Sequence, residues 1–260
     1  MNNGILCAAI ALLCFNDSPA FPIDPFNYSV EVKNFKAYTA SKKISRFRLA
    51  SSAEDFTLIE THYQKIIKYY TISGRKTVEI QTGEINQPPQ TNETMAEYLV
   101  NTRYLNLDSP EINKALKQFQ HPVGSVRSVE EYVYSHITDK VLGIPMMTAA
   151  QIFTNKQGDC TEHSVLSVAL LRKLGIPARA VVGMYLTDTF MGKKNVFVYH
   201  MWVEAFHRGR WNLVDATLPG EKRLNRYIAF AYHSLKTEAP LPYLRAISSI
   251  QEFTAECIDD

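Results

Sequence analysis

The chain has 260 residues, of which 46% are hydrophobic, 11% aromatic and 21% charged. A chain of this length can bury a sizeable core without disulfide staples, and its composition excludes collagen-like, disordered and coiled-coil proteins. Because the formal net charge is only +2 and no basic stripe stands out, we do not expect a nucleic-acid partner.

The first twenty residues are predicted to be a secretory signal peptide. Residues 5–15 are an unbroken apolar run that is too short to span a bilayer, and Ser18 and Ala20 are the small residues at positions −3 and −1 of a cleavage site before Phe21. Since the first four residues carry no Lys or Arg, a buried N-terminal helix is the alternative. The signal implies a periplasmic or secreted protein, with no stable membrane insertion after the signal is removed.

Residues 21–94 are predicted to form a small N-terminal antiparallel β domain followed by a linker. Apolar and polar residues alternate, or Thr, Ile and Tyr predominate, in the segments 27–33, 44–49, 57–72 and 77–80. Such patterns with turn residues between them are typical of short antiparallel strands. Gly83, Pro88 and Pro89 lie in residues 82–94, which we interpret as the linker.

Residues 95–260 are predicted to form one catalytic domain in which helices precede an antiparallel sheet, an α+β plan. Helices are expected to begin at Ser109, at Ser128 with Glu131 in a capping box, at Thr148 and at Cys160. The last of these is apolar almost all round and stops at Gly175, so it should be a buried core helix. Strands are expected over residues 178–186, 195–206, 211–217, 226–232 and 244–253.

Of the four cysteines, Cys160 is the one in a chemically suggestive position, at the start of the predicted buried helix. Unpaired backbone N–H groups and the helix dipole favour a thiolate there, and the same N–H groups could bind a developing oxyanion. The ordinary structural explanation is a small buried hydrophobic residue, and Cys257 near the C-terminus fits that explanation better. Cys7 and Cys14 leave with the signal, so no disulfide framework is expected.

A base for this thiol is suggested by the predicted hairpin of the strands 195–206 and 211–217. If Phe206 faces Trp211, then His200 and Asp215 are diagonal neighbours on one face, about 7–8 Å apart at the backbone. Asp215 could then hold the imidazole while its other nitrogen faces Cys160. Glu204 shares this face, but four strand residues place it roughly 13 Å from His200.

Two alternatives remain open at this point. His163 lies one helical turn from Cys160 and could serve as a base, although a packing role is the simpler explanation. Cys160, His163, His200 and Asp215 could also be the ligands of a zinc ion.

At these residues the sequence resembles the transglutaminase-like superfamily, which has a papain-like thiol fold. The resemblance covers residues 95–220 and rests on the motifs Gly158-Asp159-Cys160-Thr161-Glu162-His163, Gly175-Ile176-Pro177-Ala178-Arg179, His200-Met201-Trp202-Val203-Glu204 and Trp211-Asn212-Leu213-Val214-Asp215-Ala216-Thr217. It implies that Cys160 is the nucleophile, His200 the base and Asp215 the residue that orients the base. No calcium-binding loop is recognisable, and we expect no cofactor and no metal.

The resemblance implies acyl transfer at an amide. We expect a thiol-dependent amide hydrolase or peptidase that forms a thioester acyl-enzyme with protein or peptide substrates. Transamidation to an amine, as in transglutaminases, is the alternative with the same chemistry, and a non-catalytic binding scaffold is the alternative of a different class. The second oxyanion donor is not identifiable, since Thr148 and Gln151 are only weak candidates, and the sequence does not give the oligomeric state.

Overall fold

A computed structural model describes residues 28–36, 42–54, 56–85, 95–118, 125–141, 146–220, 222–233, 235 and 253–258. The predicted signal peptide lies outside these residues, as do most of the predicted linker and all of the predicted strand 244–253 except Phe253. No helix within the described ranges is long and apolar enough to cross a bilayer.

The order of elements is that of an α+β protein, as the sequence predicted. The strands are β1 (Ser29–Lys33), β2 (Ile44–Ser51), β3 (Gln64–Ile72), β4 (Arg75–Gly83), β5 (Asp139–Lys140), β6 (Gln157–Gly158), β7 (Ala178–Phe190), β8 (Lys193–His207), β9 (Arg210–Val214), β10 (Tyr227–His233) and β11 (Thr254–Cys257). The helices are α1 (Pro110–Lys117), α2 (Val126–His136), α3 (Ala149–Asn155) and α4 (Cys160–Lys173), with 3₁₀ turns at Met95–Leu99 and Leu224–Arg226.

One large sheet joins strands from both ends of the chain. Within the described residues its order is β10-β7-β8-β1-β11-β2-β4-β3. The ninth strand, β9, pairs with the C-terminal part of β8, from Val203 to His207. β1 and β11 are parallel, whereas the other neighbours in this sheet are antiparallel. Strands of the predicted β domain and of the predicted catalytic domain therefore share one hydrogen-bonded sheet. The division of the chain near residue 94 stays a prediction.

The helix α4 is the buried core helix that its composition predicted. Every residue from Glu162 to Arg172 is buried, and the helix packs against β7 and β8 on one side and against the other three helices on the other. Apolar residues that recur all round a helix can be accommodated only where neighbours cover every face. Cys160 is therefore the first residue of a helix, α4, that neighbouring strands and helices surround.

The start of α2 differs from the prediction. The N-cap is Ser125, whose hydroxyl accepts a hydrogen bond from the Ser128 N–H, and not Ser128 itself. Glu131 forms an ion pair with Arg127 instead of a capping box with Ser128. The helix begins earlier because Val129 and Val133 pack into the core together with the half-buried Val126, so the apolar face starts one turn before the predicted cap.

The hairpin of β8 and β9 has the predicted register. Phe206 pairs with Trp211, and the chain reverses through Arg208 and Gly209, which have φ of 55° and 77°. Two consecutive residues with positive φ form the tight turn that matches the twist of paired strands, and glycine adopts this conformation without strain. However, β9 ends at Val214, three residues earlier than predicted, so Asp215 is the first residue beyond the sheet.

Candidate active site

The N-terminus of α4 is fixed by a reciprocal capping box. The Asp159 carboxylate accepts a hydrogen bond from the Thr161 N–H at 2.8 Å, and the Glu162 carboxylate accepts one from the Asp159 N–H at 3.0 Å. Gly158 has φ of 149°, and a Cβ there would lie 2.3 Å from the Cβ of Glu162. The glycine therefore allows the close approach of Glu162, and the cap that results sets the position of Cys160.

His200 and Asp215 form the hydrogen bond that the hairpin predicted. The distance from His200 Nε2 to Asp215 Oδ2 is 2.8 Å, and the two residues are 8% and 1% exposed. Because Nε2 is used in this way, Nδ1 is the ring nitrogen that remains for Cys160, which lies close enough to contribute to the raised pKa of His200. The structure thus joins His200 to Asp215 directly and places Cys160 near the imidazole.

The electrostatics of this pair favour a protonated imidazole. Burial by itself would lower the pKa of His200, but the charge of Asp215 and the hydrogen bond that the imidazole donates to it, with a smaller contribution from Cys160, outweigh burial and raise that pKa to about 10. Burial would likewise raise the pKa of Asp215, yet His200, Thr217 and Tyr227 lower it well below its usual range. The pair can therefore hold the proton that a thiol would release.

Both oxygens of the Asp215 carboxylate are occupied by donors. Oδ2 accepts from His200 and also from the Tyr227 hydroxyl at 2.9 Å, while Oδ1 accepts from the Thr217 N–H at 3.0 Å and the Thr217 hydroxyl at 2.6 Å. A carboxylate has about four lone-pair positions, so four donors fix its orientation. Sequence reasoning missed both residues. The Asp-x-Thr spacing was a usable signal for an Asx turn at Thr217, whereas no local signal points to Tyr227.

Aromatic rings enclose the imidazole of His200. Tyr185, Trp202 and Tyr227 have ring centroids at 5.8, 5.9 and 6.3 Å from it. The indole N–H of Trp202 donates to the Tyr63 hydroxyl at 3.0 Å, so a residue before the predicted linker supports this wall. The rings displace water from the His200–Asp215 pair, which strengthens the attraction between its charges.

His163, the alternative base, is engaged elsewhere. Burial, with the charge of Lys140 acting in the same direction, lowers its pKa to about 4. The neutral ring donates from Nδ1 to the Asp159 carbonyl oxygen at 2.6 Å and accepts at Nε2 from the Lys140 ammonium at 2.6 Å. Neither ring nitrogen is left to accept a proton from Cys160, so the packing explanation fits His163 better.

Glu204 has a partner other than His200. Its carboxylate accepts two hydrogen bonds from the Arg179 guanidinium, at 2.8 and 3.0 Å, and both residues are buried. Arg179 faces Glu204 across β7 and β8. The prediction that Glu204 is not the residue that orients His200 agrees with this geometry.

The structure also bears on the remaining candidates. Cys257 is buried in β11 opposite Phe47, as expected for a packing residue. Thr148 and Gln151 form the capping box of α3 through the Thr148 hydroxyl and the Gln151 Oε1, and a role of either residue as an oxyanion donor stays a prediction. Among the described residues no group of three His, Cys, Asp or Glu side chains is arranged to hold a metal ion.

Comparison with known proteins is consistent with this fold and site. Residues 110–216 match the family model described as "Transglutaminase-like superfamily". Over these residues the chain is similar to that superfamily. The match contains Cys160, His200 and Asp215, and it ends one residue after the last of them. No curated protein sequence matches the chain.

Three solved structures illustrate the similarity. A candidate cysteine protease from Cytophaga hutchinsonii is 16% identical, with a TM-score of 0.51 and coverage of 89% of this chain and 88% of that one, so it shares the fold. The periplasmic domain of TgpA from Pseudomonas aeruginosa is 14% identical, with a TM-score of 0.48 over 73% and 74% of the two chains. Red sea bream transglutaminase is 11% identical, with a TM-score of 0.36 over 67% and 46%.

Proposed function

We propose that the protein is a thiol-dependent amide hydrolase or peptidase in which Cys160 is the nucleophile, His200 the base and Asp215 the residue that orients the base. The observation that carries the proposal is the buried His200–Asp215 hydrogen bond beside Cys160, which is the first residue of a buried helix. A nucleophile, a base within hydrogen-bond reach and a third group that orients the base are the three parts that such catalysis requires.

The reaction follows from the positions of the groups. His200 takes the thiol proton at Nδ1, and the sulfur of Cys160 bonds to the carbonyl carbon of the substrate amide. The backbone N–H of Cys160 lies at the helix N-terminus, where it can donate to the oxyanion of the tetrahedral intermediate. The imidazolium then protonates the amine as the C–N bond breaks, which leaves a thioester.

Release of the product regenerates the thiol. His200 removes a proton from a water molecule, the hydroxide oxygen bonds to the thioester carbon, and the C–S bond breaks as the proton returns to sulfur. The product is a carboxylic acid. If a primary amine reaches the thioester before water does, the product is a new amide, and the same residues act as a transamidase. The superfamily resemblance makes a protein or peptide the expected substrate.

Acylation with an activated ester tests the proposed chemistry without knowledge of the natural substrate. We expect p-nitrophenyl acetate to release p-nitrophenol in a burst and to leave one acetyl group on Cys160, as seen by mass spectrometry of the intact protein and its peptides. Cys160→Ser is the matched control and should show no burst, since a hydroxyl is a far weaker acid than a thiol. Absence of acetylation in the folded wild-type protein would favour the non-catalytic scaffold.

A second assay determines whether water or an amine accepts the acyl group from the thioester. Glutamine-containing peptides are incubated with the protein, with and without a primary amine, and the products are separated by mass. Carboxylic acid products or cleaved peptides in the presence of the amine support the hydrolase, whereas amine adducts as the main product would replace it with the transamidase.

We also propose that the protein is exported, on the basis of the apolar run and cleavage pattern in residues 1–20. Protein recovered from the periplasm or the medium should begin near Phe21, as read by N-terminal sequencing. Folded, active protein that keeps Met1 would contradict export.

A further inference from the structure

Two buried charged side chains attach the segment that follows β9 to helix α2. Glu130 lies on α2, and its Oε1 accepts a hydrogen bond from the Asp215 N–H at 2.8 Å. The same oxygen lies 2.8 Å from Lys222 Nζ, and the Glu130 and Lys222 side chains are 7% and 10% exposed. This pair is therefore built into the protein and is not a mobile ion pair of the surface.

Lys222 contacts two backbone carbonyl groups in addition to the Glu130 carboxylate. Its ammonium group also donates to the Leu218 carbonyl oxygen and, at 3.2 Å, to the Gly220 carbonyl oxygen. An ammonium has three N–H groups, so each of its donors has an acceptor. Glu130 and Lys222 together bind the backbone at positions 215, 218 and 220, which attaches the loop that these residues form to α2.

The attachment of this loop to α2 matters for the site because Asp215 lies at the start of the loop. β9 ends at Val214, so strand pairing with β8 holds the backbone only up to the residue before Asp215. Glu130 supplies the acceptor for the Asp215 N–H at the point where strand pairing stops. This hydrogen bond therefore holds the backbone of the residue whose carboxylate contacts His200 at 2.8 Å.

We propose that Glu130 and Lys222 are positioning residues that act on the thiol chemistry through Asp215, by fixing the backbone from which its carboxylate reaches His200. The inference rests on the proposed function, since it assigns a role within that site. It differs from ordinary packing because the loss of the pair should change how His200 binds its proton, and not only how stable the fold is.

The titration of His200 is the direct readout. The groups that face the imidazole and its partner are Cys160, Tyr185, Asp215 and Tyr227, with His163 and the Lys222–Glu130 pair near Asp215. Asp215 is the group that keeps the proton on His200, with the His200 pKa at about 10. A less well positioned carboxylate should therefore lower the pH at which this proton is lost.

The experiment is an NMR titration of histidine-labelled protein, with the His200 signal assigned by its loss in His200→Ala. We expect Glu130→Leu, which removes the acceptor for the Asp215 N–H, and Lys222→Met each to lower the His200 midpoint by about one pH unit or more. Acetylation by p-nitrophenyl acetate should slow on the order of tenfold to a hundredfold in the same variants, the range typical of a misplaced catalytic group. Glu204→Gln is the matched control, because it breaks a buried ion pair of β8 that does not touch Asp215, and it should leave the midpoint unchanged.

A double variant guards against loss of folding. Glu130→Leu together with Lys222→Met leaves no unpaired buried charge, so it should fold even if a single variant does not. It should still show the lowered midpoint, because the methionine cannot hold the Leu218 and Gly220 carbonyl oxygens. The combined shift should be smaller than the sum of the single shifts, since both residues act through one loop.

The outcomes separate this inference from the proposed function. A wild-type protein that is acetylated at Cys160, with a His200 midpoint that is the same in all Glu130 and Lys222 variants, would overturn the inference and leave the function intact. An equal shift in Glu204→Gln would also overturn it, since the effect would then follow stability alone. A wild-type protein that is not acetylated at all would overturn the proposed function itself.

Discussion

Two buried acid–base pairs on one face of β8 have opposite chemical properties. His200 and Glu204 are four residues apart on this strand, and each has one charged partner, Asp215 for His200 and Arg179 for Glu204. The His200–Asp215 pair contains a ring that can gain and lose a proton. The Arg179–Glu204 pair contains a guanidinium whose pKa, although burial opposes it, is raised above its already high value by the charge of Glu204. One pair can transfer protons, and the other can only hold charge.

The surroundings of the second pair fit a structural role. The Arg179 guanidinium lies over three aromatic rings, with its carbon 3.4 Å from the ring centroid of Tyr232, 3.9 Å from that of Trp211 and 5.2 Å from that of Tyr98. Such cation–π contacts stabilise a fixed cation in a site without water. The two buried carboxylates, Asp215 and Glu204, thus differ in whether the partner of each can titrate.

The largest expected effect is that removal of the two carboxylate charges has opposite results, with loss of turnover at Asp215 and loss of stability at Glu204. Asp215→Asn should lower turnover on the order of 10⁴-fold while the protein remains folded, because the amide no longer stabilises the imidazolium or selects the reactive tautomer. Glu204→Gln should leave turnover close to that of the wild type but lower the free energy of unfolding by about 3–5 kcal/mol, because Arg179 loses its buried counter-charge. Kinetics of p-nitrophenol release and urea unfolding measure the two effects, and a reversal of the two phenotypes would refute the comparison.

The stability of the structural pair can be tested by removing both charges. Arg179→Met combined with Glu204→Gln should recover most of the stability that Glu204→Gln alone loses, because no buried charge remains unpaired. Urea unfolding of the two single variants and the double variant gives the coupling energy, which we expect to exceed about 1 kcal/mol for residues in direct contact. Strictly additive losses would show that the pair does not act as a unit.

A smaller effect is expected for the hydroxyl that binds Asp215 next to His200. Tyr227→Phe removes one of the four donors to the carboxylate, and a hydrogen bond to a charged group contributes about 1.5 kcal/mol or more. Turnover should therefore fall about tenfold. Tyr185→Phe removes the hydroxyl of another ring beside His200 that does not donate to Asp215, and it is the matched control. Equal turnover in the two variants would show that the hydrogen bond from Tyr227 to Asp215 does not contribute to turnover.

A last prediction concerns pH and distinguishes two kinds of histidine. Burial lowers the pKa values of His62, His163 and His233 to about 4, below the roughly 6.5 of an unfolded chain. Their contribution to the free energy of unfolding is present above pH 6.5 and is lost as the pH falls toward 4. His200 has a raised pKa, of about 10, so its contribution is present below pH 6.5 and is lost as the pH rises toward 10.

Stability should therefore be greatest near pH 6.5 and fall on both sides, with each histidine adding at most about 1.4 kcal/mol per pH unit. Urea unfolding across this range measures the curve. His200→Gln should flatten the alkaline side only, and His163→Gln the acid side only. A variant that flattens the opposite side would show that the assigned direction of that pKa is wrong.

Local patterns in the sequence predicted much of this structure. Helix caps at Ser109, Thr148 and the start of α4 depend on residues within one turn, and the β8–β9 register depends on one tight turn. These features were predicted because their determinants are adjacent in the chain. The closeness of His200 and Asp215 followed from that register, and the family resemblance followed from the same motifs.

Features that depend on distant pairing were not predicted. β11 lies between β1 and β2, which joins the two ends of the chain, and no local pattern specifies that neighbour. Tyr227 reaches Asp215 only because β10 pairs with β7, and Glu130 does so only because α2 packs on the core. Such contacts are set by the tertiary fold, so the residues that support the site were found only in the structure.

The central claim is that the titrating pair activates Cys160, and the alkylation rate of the two cysteines tests it most directly. Iodoacetamide labelling is followed between pH 6 and 9 in the wild type and in His200→Ala, with peptide mass mapping to separate Cys160 from Cys257. The account predicts that Cys160 labels on the order of tenfold faster than the buried Cys257, and that His200→Ala abolishes the advantage at the acid end of the range. Labelling of Cys160 at the rate of Cys257 throughout, in folded protein, would contradict it.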